Sequence, residues 1–312
     1  MGNARGSSLY EFPRFRENVM QEQSLDVLIK HALAEDLCDD FQKGFEALLA
    51  DSKASFSDVT SDALFIDEKA DVSVHAKSNG VLSGAKPFRK VFNIVDSSLT
   101  TSFSVHDGDT FSSGDTVASL HGNIHSILAG ERTALNFLGH LSGIAAAVRD
   151  LSELLKGTSI RILDTRKTLP GLRSVEKEAV LHGGGANHRM GLFDMVLIKD
   201  NHIDQAGSIG GAVRAVRNRH GNRYKIEVET RTLAEVEQAV RAGVDRIMLD
   251  NMDVAAVEKA ASLINGRAKI EVSGNINREK IVKLRHLPID YISVGSITYA
   301  AGHADFSLTL ET

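Results

Sequence analysis

Charged or small polar residues end six short apolar segments in the second half of the chain. Cations follow the first two segments, carboxylates follow the next two, and serine or glycine follows the last two. In chain order, these residues are Arg166 with Lys167, Lys199, Glu229, Asp250, Ser273 and Gly295. Parallel α/β sheets and barrels carry their active sites at the carboxyl ends of the strands. The pattern therefore predicts a site that several strands build, with its chemistry at these ends.

Cations converge on the first two predicted strand ends. Besides Arg166, Lys167 and Lys199, the segment between them supplies His188 and Arg189. Buried like charges cost several kcal/mol each unless counter-anions neutralise them. Guanidinium groups bind carboxylates and phosphates bidentately, and lysine ammonium groups bind phosphates as point charges. The sequence thus predicts a ligand that carries several negative charges.

The other four strand ends predict a different chemistry. Glu229 and Asp250 could bind sugar hydroxyls, or hold Mg²⁺ that bridges to phosphates. The segments Ser-Gly-Asn at 273–275 and Gly-Ser at 295–296 let backbone N–H groups approach an anion, as barrels do when they hold a phosphate after their final strands. We therefore expect acids to bind at the first strands and phosphate at the last ones.

Taken singly, these residues also have structural interpretations. Arg166 and Lys167 could be solvated loop charges, and the two carboxylates could be ion-pair partners of Lys199 or Arg189. The glycines at 183–185 could form a plain turn, because the histidine at position 188 breaks the spacing of a dinucleotide-binding loop. Their joint occurrence at successive strand ends favours the functional interpretation.

Helical segments alternate with the apolar segments beyond Gly157. They cover residues 173–181, 208–219, 233–242, 254–264 and 278–287, each with apolar residues at helical spacing. This alternation predicts right-handed βαβ units and a parallel sheet. The predicted fold class is α/β, with a six-stranded α/β barrel that is TIM-like but incomplete.

The first third of the chain predicts an α+β amino-terminal domain. Residues 22–37 have helical periodicity, whereas 72–76 and 101–105 alternate like half-buried strands. A mostly apolar stretch from 126 to about 155 predicts a linking helix, whose glycines indicate either a break or a close helix contact. We place the α+β domain at 1–130 and the barrel at 131–299, and the alternating residues near the end could return 300–312 to the first domain.

Composition narrows the class of protein. A net charge of −5 argues against a general nucleic-acid binder. The single cysteine, Cys38, excludes an internal disulfide and a zinc site of clustered thiolates, which fits a cytoplasmic compartment. No apolar run approaches the ~18 residues of a membrane span, so no membrane partner is expected. His121 and His125 have no evident third ligand and are interpreted as structural.

Several long motifs resemble those of the quinolinate phosphoribosyltransferases, a family also called nicotinate-nucleotide pyrophosphorylases. They extend over most of residues 122–298 and lie at 131–136, 141–145, 164–168, 170–172, 183–191, 194–202 and 247–251. The resemblance implies a two-domain enzyme that works as a dimer or a higher assembly of dimers. It also implies a Mg²⁺-dependent reaction of quinolinate with 5-phosphoribosyl 1-diphosphate, giving nicotinate mononucleotide, diphosphate and CO₂ for NAD biosynthesis.

Motif by motif, the resemblance implies a role for each site residue. Quinolinate should contact Arg132, Arg166, His188, Arg189 and Lys199, with Arg132 donated by the neighbouring subunit. The 5-phosphate should bind at Ser273, Gly274, Asn275, Gly295 and Ser296, and Thr165 should also bind substrate. The expected catalytic residues are Lys167, Glu229 and Asp250. Lys167 should meet the diphosphate, and the two carboxylates should meet the ribose and the metal, directly or through water.

The inferred mechanism is largely electrostatic. Lys167 and Mg²⁺ stabilise the charge that accumulates on the departing diphosphate, while the carboxylates offset the positive charge of the ribose. The ring nitrogen of quinolinate then attacks, and the resulting pyridinium accepts the electrons left when the C2 carboxylate departs as CO₂. A Schiff base at Lys199 is an alternative, but charge pairing with anions suits this lysine better.

Two departures from the family pattern stand out, and three other functions stay open. The segment 38–56 is longer than usual, which predicts an extra surface helix. Tyr299 replaces the histidine of many members and puts one phosphate contact in doubt. The alternatives are a nicotinate-type phosphoribosyltransferase, a paralogue associated with molybdate-transport operons, and a non-catalytic barrel that senses a phosphorylated metabolite. The intact motifs weigh against the paralogue, and the paired carboxylates beside the cations favour turnover.

Overall fold

The computed structural model describes residues 17–51 and 56–311, and the chain divides into two compact units at Ser57 and Asp58. In the first unit, α1 spans Glu17–Leu37 and α2 spans Phe41–Leu49. Asp40 caps α2, since its carboxylate accepts a hydrogen bond from the Lys43 amide at 3.2 Å. The helix predicted within 38–56 is therefore present. Within the described ranges, no helix has the length and apolarity needed to cross a membrane.

The second unit begins with α3 (Ser61–Leu64), β1 (Lys69–Ala76), β2 (Gly80–Val81), α4 (Ala85–Val95), β3 (Thr100–Phe103), β4 (Thr110–Phe111) and β5 (Thr116–Asn123), and a further strand, β12 (Phe306–Leu310), comes from the other end of the chain. Four of these strands form an antiparallel sheet in the order β12-β1-β5-β3, and β2 pairs with β4 in a separate two-stranded sheet. β12 pairs with β1, and Val74 lies opposite Leu308. The predicted return of the last residues to the first sheet is confirmed.

A single helix, α5 (Ile124–Glu153), connects this sheet to the barrel. The Asn123 side chain caps it by accepting a hydrogen bond from the Ser126 amide. Its glycines mark close contacts and not a break: a Cβ on Gly143 would lie 1.8 Å from the carbonyl oxygen of Gly302. The boundary predicted between residues 130 and 131 falls inside this continuous helix, so the domain limits stay a prediction.

Six parallel strands form the barrel sheet: β6 (Arg161–Leu163), β7 (Val196–Ile198), β8 (Ile226–Thr230), β9 (Arg246–Asp250), β10 (Lys269–Ser273) and β11 (Tyr291–Ser293). Their order in the sheet is β6-β11-β10-β9-β8-β7. β6 and β7 end this order and do not pair with each other; instead, Leu163 forms an isolated parallel bridge with Ala186. The predicted six-stranded, incomplete barrel is confirmed.

Helices follow every strand of this sheet. They are α6 (Arg173–His182), α7 (Asp200–Ala206), α8 (Ile209–His220), α9 (Leu233–Ala242), α10 (Val254–Ile264), α11 (Arg278–Leu284) and α12 (Ser296–Tyr299). Local signals set their limits, as in α9, which begins with a capping box between Thr232 and Glu235 and ends at Gly243 with φ +66°. The short helices α7 and α12 were not predicted, and both begin directly after a strand-end residue, Lys199 and Gly295.

Candidate active site

A cavity of about 760 Å³ opens at the carboxyl ends of the six barrel strands. Every predicted site residue except Arg132 lines it: Thr165, Arg166, Lys167, His188, Arg189, Lys199, Glu229, Asp250, Ser273, Gly274, Asn275, Gly295 and Ser296. Arg132 lies exposed on α5 and is not part of this lining. The structure thus brings cations, carboxylates and small residues into one cavity, as their positions at successive strand ends predict.

Two chain segments after β6 supply cations to the cavity, residues 166–167 and residues 188–189. Arg189 is buried, and its guanidinium donates a hydrogen bond to the Met195 carbonyl oxygen at 3.1 Å. Burial, together with the positive charge of nearby Arg166, lowers the pKa of Arg189. A buried guanidinium whose charge is disfavoured in this way makes this side of the cavity suited to an anion.

Both cationic segments are held by side chains outside the cavity. Lys177, on α6, forms a buried ion pair with Asp164 and donates to the His188 carbonyl oxygen at 3.0 Å. Arg173, at the start of the same helix, uses all three guanidinium nitrogens: they donate to the Thr168 hydroxyl at 3.0 Å, the Met190 carbonyl at 3.2 Å and the Arg166 carbonyl at 3.3 Å. Contacts from α6 therefore fix both cationic segments, which lie along the chain between β6 and β7, two strands that do not pair with each other.

The carboxylates lie at the ends of β8 and β9. Lys199 Nζ is 3.0 Å from Glu229 Oε2, and the Glu229 side chain is only 14% exposed. The structural interpretation of Glu229 as an ion-pair partner of Lys199 is thus realised, yet both side chains also line the cavity. Asp250 Oδ2 accepts a hydrogen bond from the side-chain amide of Asn251 at 2.8 Å.

A tight turn after β10 supports the last part of the cavity wall. Gly274 has φ +85°, and a Cβ there would lie 2.2 Å from the Asn251 side-chain oxygen and 2.8 Å from its backbone nitrogen. Asn275 also has positive φ, and its side chain donates to Asn251 at 3.1 Å. A residue with a side chain at position 274 would force this turn away from the end of β9.

The end of β11 is tied to the segment that carries Lys167. The Thr298 hydroxyl donates to the Lys167 carbonyl oxygen at 2.6 Å. A Cβ on Gly295 would come within 3.0 Å of the Lys167 side chain, so glycine leaves room for this lysine. Tyr299 also lines the cavity, with 55% of its surface exposed.

A group of charged residues that the sequence pattern did not predict lies beneath this cavity. Glu271, from the middle of β10, lines the cavity and is fully buried. Glu227, at the matching position of β8, is also fully buried, and Arg246 of β9 lies between them. A signal was present: Lys225-Ile-Glu-Val and Lys269-Ile-Glu-Val each place a glutamate inside an apolar strand. Burying such a charge requires partners, which only the fold reveals.

Comparison with known families agrees with this geometry. The family model for the N-terminal domain of quinolinate phosphoribosyl transferase matches residues 58–142, and the model for its C-terminal domain matches residues 144–309. The chain belongs to the quinolinate phosphoribosyltransferase family.

Relatives of this family match along most of their length. A tobacco (Nicotiana tabacum) protein named mitochondrial quinolinate phosphoribosyltransferase [decarboxylating] 2a is 39% identical over 292 residues, which cover 88% of this chain and 83% of the relative. A probable nicotinate-nucleotide pyrophosphorylase [carboxylating] of Bacillus subtilis is 39% identical over 251 residues, covering 80% of this chain and 87% of the relative.

Solved structures give the same result. NadC from Streptococcus pyogenes superposes with a TM-score of 0.84 at 42% identity, covering 93% of this chain and 98% of that one. Human nicotinic acid phosphoribosyltransferase shares the fold, with a TM-score of 0.57 at 11% identity over 80% of this chain and 72% of that one. The likeness to the quinolinate phosphoribosyltransferase family therefore extends through both the sheet and the barrel.

Proposed function

We propose that this chain transfers the phosphoribosyl group of 5-phosphoribosyl 1-diphosphate to quinolinate with loss of CO₂. The products are nicotinate mononucleotide and diphosphate, and the step serves NAD biosynthesis. One observation carries the proposal: a single cavity holds converging cations, two carboxylates and small residues at strand ends. A pyridine diacid beside an activated sugar phosphate has the charges and hydroxyl groups that this set of side chains complements.

Quinolinate binds on the side of β6 and β7 in this proposal. Arg166 and Arg189 pair with its carboxylates, His188 contributes its ring, and Lys199 contributes its ammonium group. Lys199 already neutralises part of the Glu229 charge at 3.0 Å, so it bridges the acid-binding side to the ribose-binding side. The 5-phosphate binds at the small residues Ser273, Gly274, Asn275, Gly295 and Ser296, with Thr165 nearby in the lining.

Glu229 and Asp250 fit Mg²⁺ in the manner usual for sites that handle diphosphates. Both carboxylates line the cavity at neighbouring strand ends, and oxygen donors of this kind bind magnesium together with water and phosphate oxygens. Glu229 and Asp250 would hold the ion directly or through water. Bound there, Mg²⁺ would supply positive charge that stabilises the leaving diphosphate.

The chain's own residues do the remaining work by positioning and electrostatics. Lys167 faces the departing diphosphate, and its placement is fixed because Thr298 holds its carbonyl oxygen and Gly295 leaves room for its side chain. Glu229 and Asp250 orient the ribose hydroxyls and offset the positive charge on the ribose as the diphosphate departs. The arginines hold quinolinate with its ring nitrogen toward the anomeric carbon, which favours attack there.

We further propose a dimer, or an assembly of dimers, in which Arg132 completes the site of the neighbouring subunit. The support is that Arg132 is exposed on α5 and does not line the cavity of its own chain. The cytoplasm is the proposed compartment, on the basis of a single cysteine and a substrate set of small metabolites.

The test incubates the protein with Mg²⁺, the phosphoribosyl donor and quinolinate labelled in the C2 carboxylate. We expect CO₂ and nicotinate mononucleotide in equal amounts, and no mononucleotide from nicotinate. Lys167→Met should abolish turnover, whereas Lys259→Met, at an exposed position on α10, should leave it unchanged. Product from nicotinate would favour the nicotinate-type enzyme, and binding without turnover would favour the sensor.

A further inference from the structure

Four side chains from four different chain segments meet beneath the cavity, and the function proposed above uses only one of them. This floor cluster consists of His188, Glu227, Arg246 and Glu271. Arg246 Nη1 lies 2.9 Å from Glu271 Oε2 and 3.7 Å from Glu227 Oε2. His188 Nε2 lies 3.0 Å from Glu227 Oε2 and 3.6 Å from Glu271 Oε2. Both glutamates are fully buried, and His188 and Arg246 are each 7% exposed.

The charges of the floor cluster do not balance without an additional proton. Burial opposes a charge on His188 and the two glutamates favour it, so that the pKa of His188 is raised; Nδ1 nevertheless accepts a hydrogen bond from the Arg189 amide at 2.7 Å, which places the ring hydrogen on Nε2 and leaves the ring neutral. The two carboxylates then face one guanidinium. An excess negative charge in fully buried surroundings is costly, and uptake of a proton by one carboxyl removes it.

Glu271 is the carboxyl that holds this proton next to the cavity. It lines the cavity, whereas Glu227 does not. Among the described residues, Oε1 of Glu271 and both carboxylate oxygens of Glu227 accept no hydrogen bond, while Oε2 of Glu271 accepts one from Arg246. Burial, reinforced by the charge of Glu227, raises the pKa of Glu271 to about 7 even where a charge on His188, together with Arg246 and the Ser293 hydroxyl, opposes the rise; a neutral His188 opposes it less.

A metal ion is the competing explanation for the floor cluster. Ligand atoms of His188, Glu227 and Glu271 lie within 4.8 Å of one another, as in a three-ligand metal site. Arg246, however, already places a positive charge 2.9 Å from Glu271, and a divalent ion would have to sit beside it. A single proton balances the cluster without bringing a second cation next to the guanidinium.

We propose that Glu271 is the acid that protonates C2 of the pyridine ring when CO₂ leaves, an inference that rests on the proposed function. The bond between C2 and its carboxylate breaks, and its electron pair remains on C2. The O–H bond of Glu271 then breaks, and its proton forms the new C2–H bond. The resulting Glu271 carboxylate stays paired with Arg246, and water in the emptied cavity returns the proton.

The test separates decarboxylation from binding in a Glu271→Gln variant, which keeps the shape of the side chain but has no acidic proton. We expect single-turnover CO₂ release to slow by about 100-fold or more, the scale of general acid catalysis, with quinolinate affinity unchanged within about threefold. The wild-type rate should fall as the pH rises above about 7, where Glu271 loses its proton. The variant's rate should not vary with pH in that range.

Glu227→Gln is the matched control, because it removes the other carboxylate of the floor cluster. Loss of the Glu227 charge should move the decrease in the rate of CO₂ release to lower pH without abolishing that decrease, since the charge of Glu227 helps Glu271 retain its proton. If Glu271→Gln does not fold by circular dichroism, this shift carries the test alone, and its absence would overturn the proposal.

Several results would contradict the role of Glu271. These are wild-type CO₂ release by Glu271→Gln, a retained alkaline fall in that variant, or a parallel loss of quinolinate binding and CO₂ release. Wild-type protein that releases no CO₂ at all would instead refute the proposed function, so the two failures are distinguishable. Zinc or manganese that co-purifies in one equivalent and is lost in both glutamate variants would establish the metal explanation in place of the proton.

Discussion

Replacing Glu271 by glutamine should change how the stability of the protein depends on pH. Glu271 is fully buried, and its pKa rises from 4.5 to about 7 in the folded chain. A carboxyl whose pKa is raised by folding binds its proton more tightly in the folded state. Its contribution to stability is therefore fully present below pH 4.5 and is lost as the pH rises through about 7.

The size of the change in unfolding free energy follows from the shift in the pKa of Glu271. Each pKa unit corresponds to about 1.4 kcal/mol, so the rise from 4.5 to about 7 amounts to about 3 kcal/mol of unfolding free energy. Between pH 5 and 7, the wild-type value should fall by about 1.4 kcal/mol per pH unit relative to Glu271→Gln. Above pH 8 the difference between the two proteins should stay constant.

Urea unfolding followed by circular dichroism at pH 5, 6, 7 and 8 measures this difference directly. Glu258→Gln, an exposed glutamate on α10, serves as the control and should follow the wild-type curve. Parallel pH profiles of wild type and Glu271→Gln would show that Glu271 is ionised throughout this range. That result would refute the charge count for the floor cluster.

Three further predictions follow from the site. Gly274→Ala should weaken binding of the phosphoribosyl donor by tenfold or more in equilibrium titrations, because the added Cβ would clash with Asn251. Gly266→Ala is the control, since Gly266 has a similar φ of +71° but no atom within 4 Å of an added Cβ. An equal effect of the two variants would show that backbone strain, and not the clash, weakens binding. Arg173→Lys should raise the KM for quinolinate about tenfold with a much smaller effect on kcat, because a lysine cannot hold three loop groups at once; an unchanged KM in steady-state assays would contradict this positioning role. Arg132→Ala and Lys167→Met should each be inactive alone and recover up to about a quarter of wild-type activity when mixed and allowed to exchange subunits, as expected for one intact site in each mixed dimer; no recovery on mixing would argue against Arg132 donation.

The sequence was most informative where apolar periodicity and strand ends coincide. All six barrel strands follow from short apolar segments, and the cavity residues at their ends follow from the rule that parallel strands present their carboxyl ends at one edge, whereas Thr165 came from the resemblance to the family. The alternation of residues 305–310 also indicates that this segment could return to the first sheet, and it pairs with β1 there.

Features that depend on long-range packing could not be predicted in the same way. The floor cluster requires β8, β9 and β10 to be adjacent and in a register that brings Glu227 and Glu271 to Arg246. The three hydrogen bonds of Arg173 depend on where the segments that contain Arg166 and Met190 pack against the start of α6. For Arg132, the structure shows an exposed side chain on α5, and the expected donation to a neighbouring subunit comes from the resemblance to the family alone.

The pairing of β12 with β1 has a consequence for the synthesis of the protein. β1 emerges from the ribosome early, yet its partner at residues 306–310 follows more than two hundred residues later. Until then β1 has β5 on one side and an unpaired edge on the other, and such edges recruit strands from other chains. The nascent protein is therefore most vulnerable to aggregation just before its last strand is released, and a truncation that removes Phe306–Leu310 would make that exposure permanent.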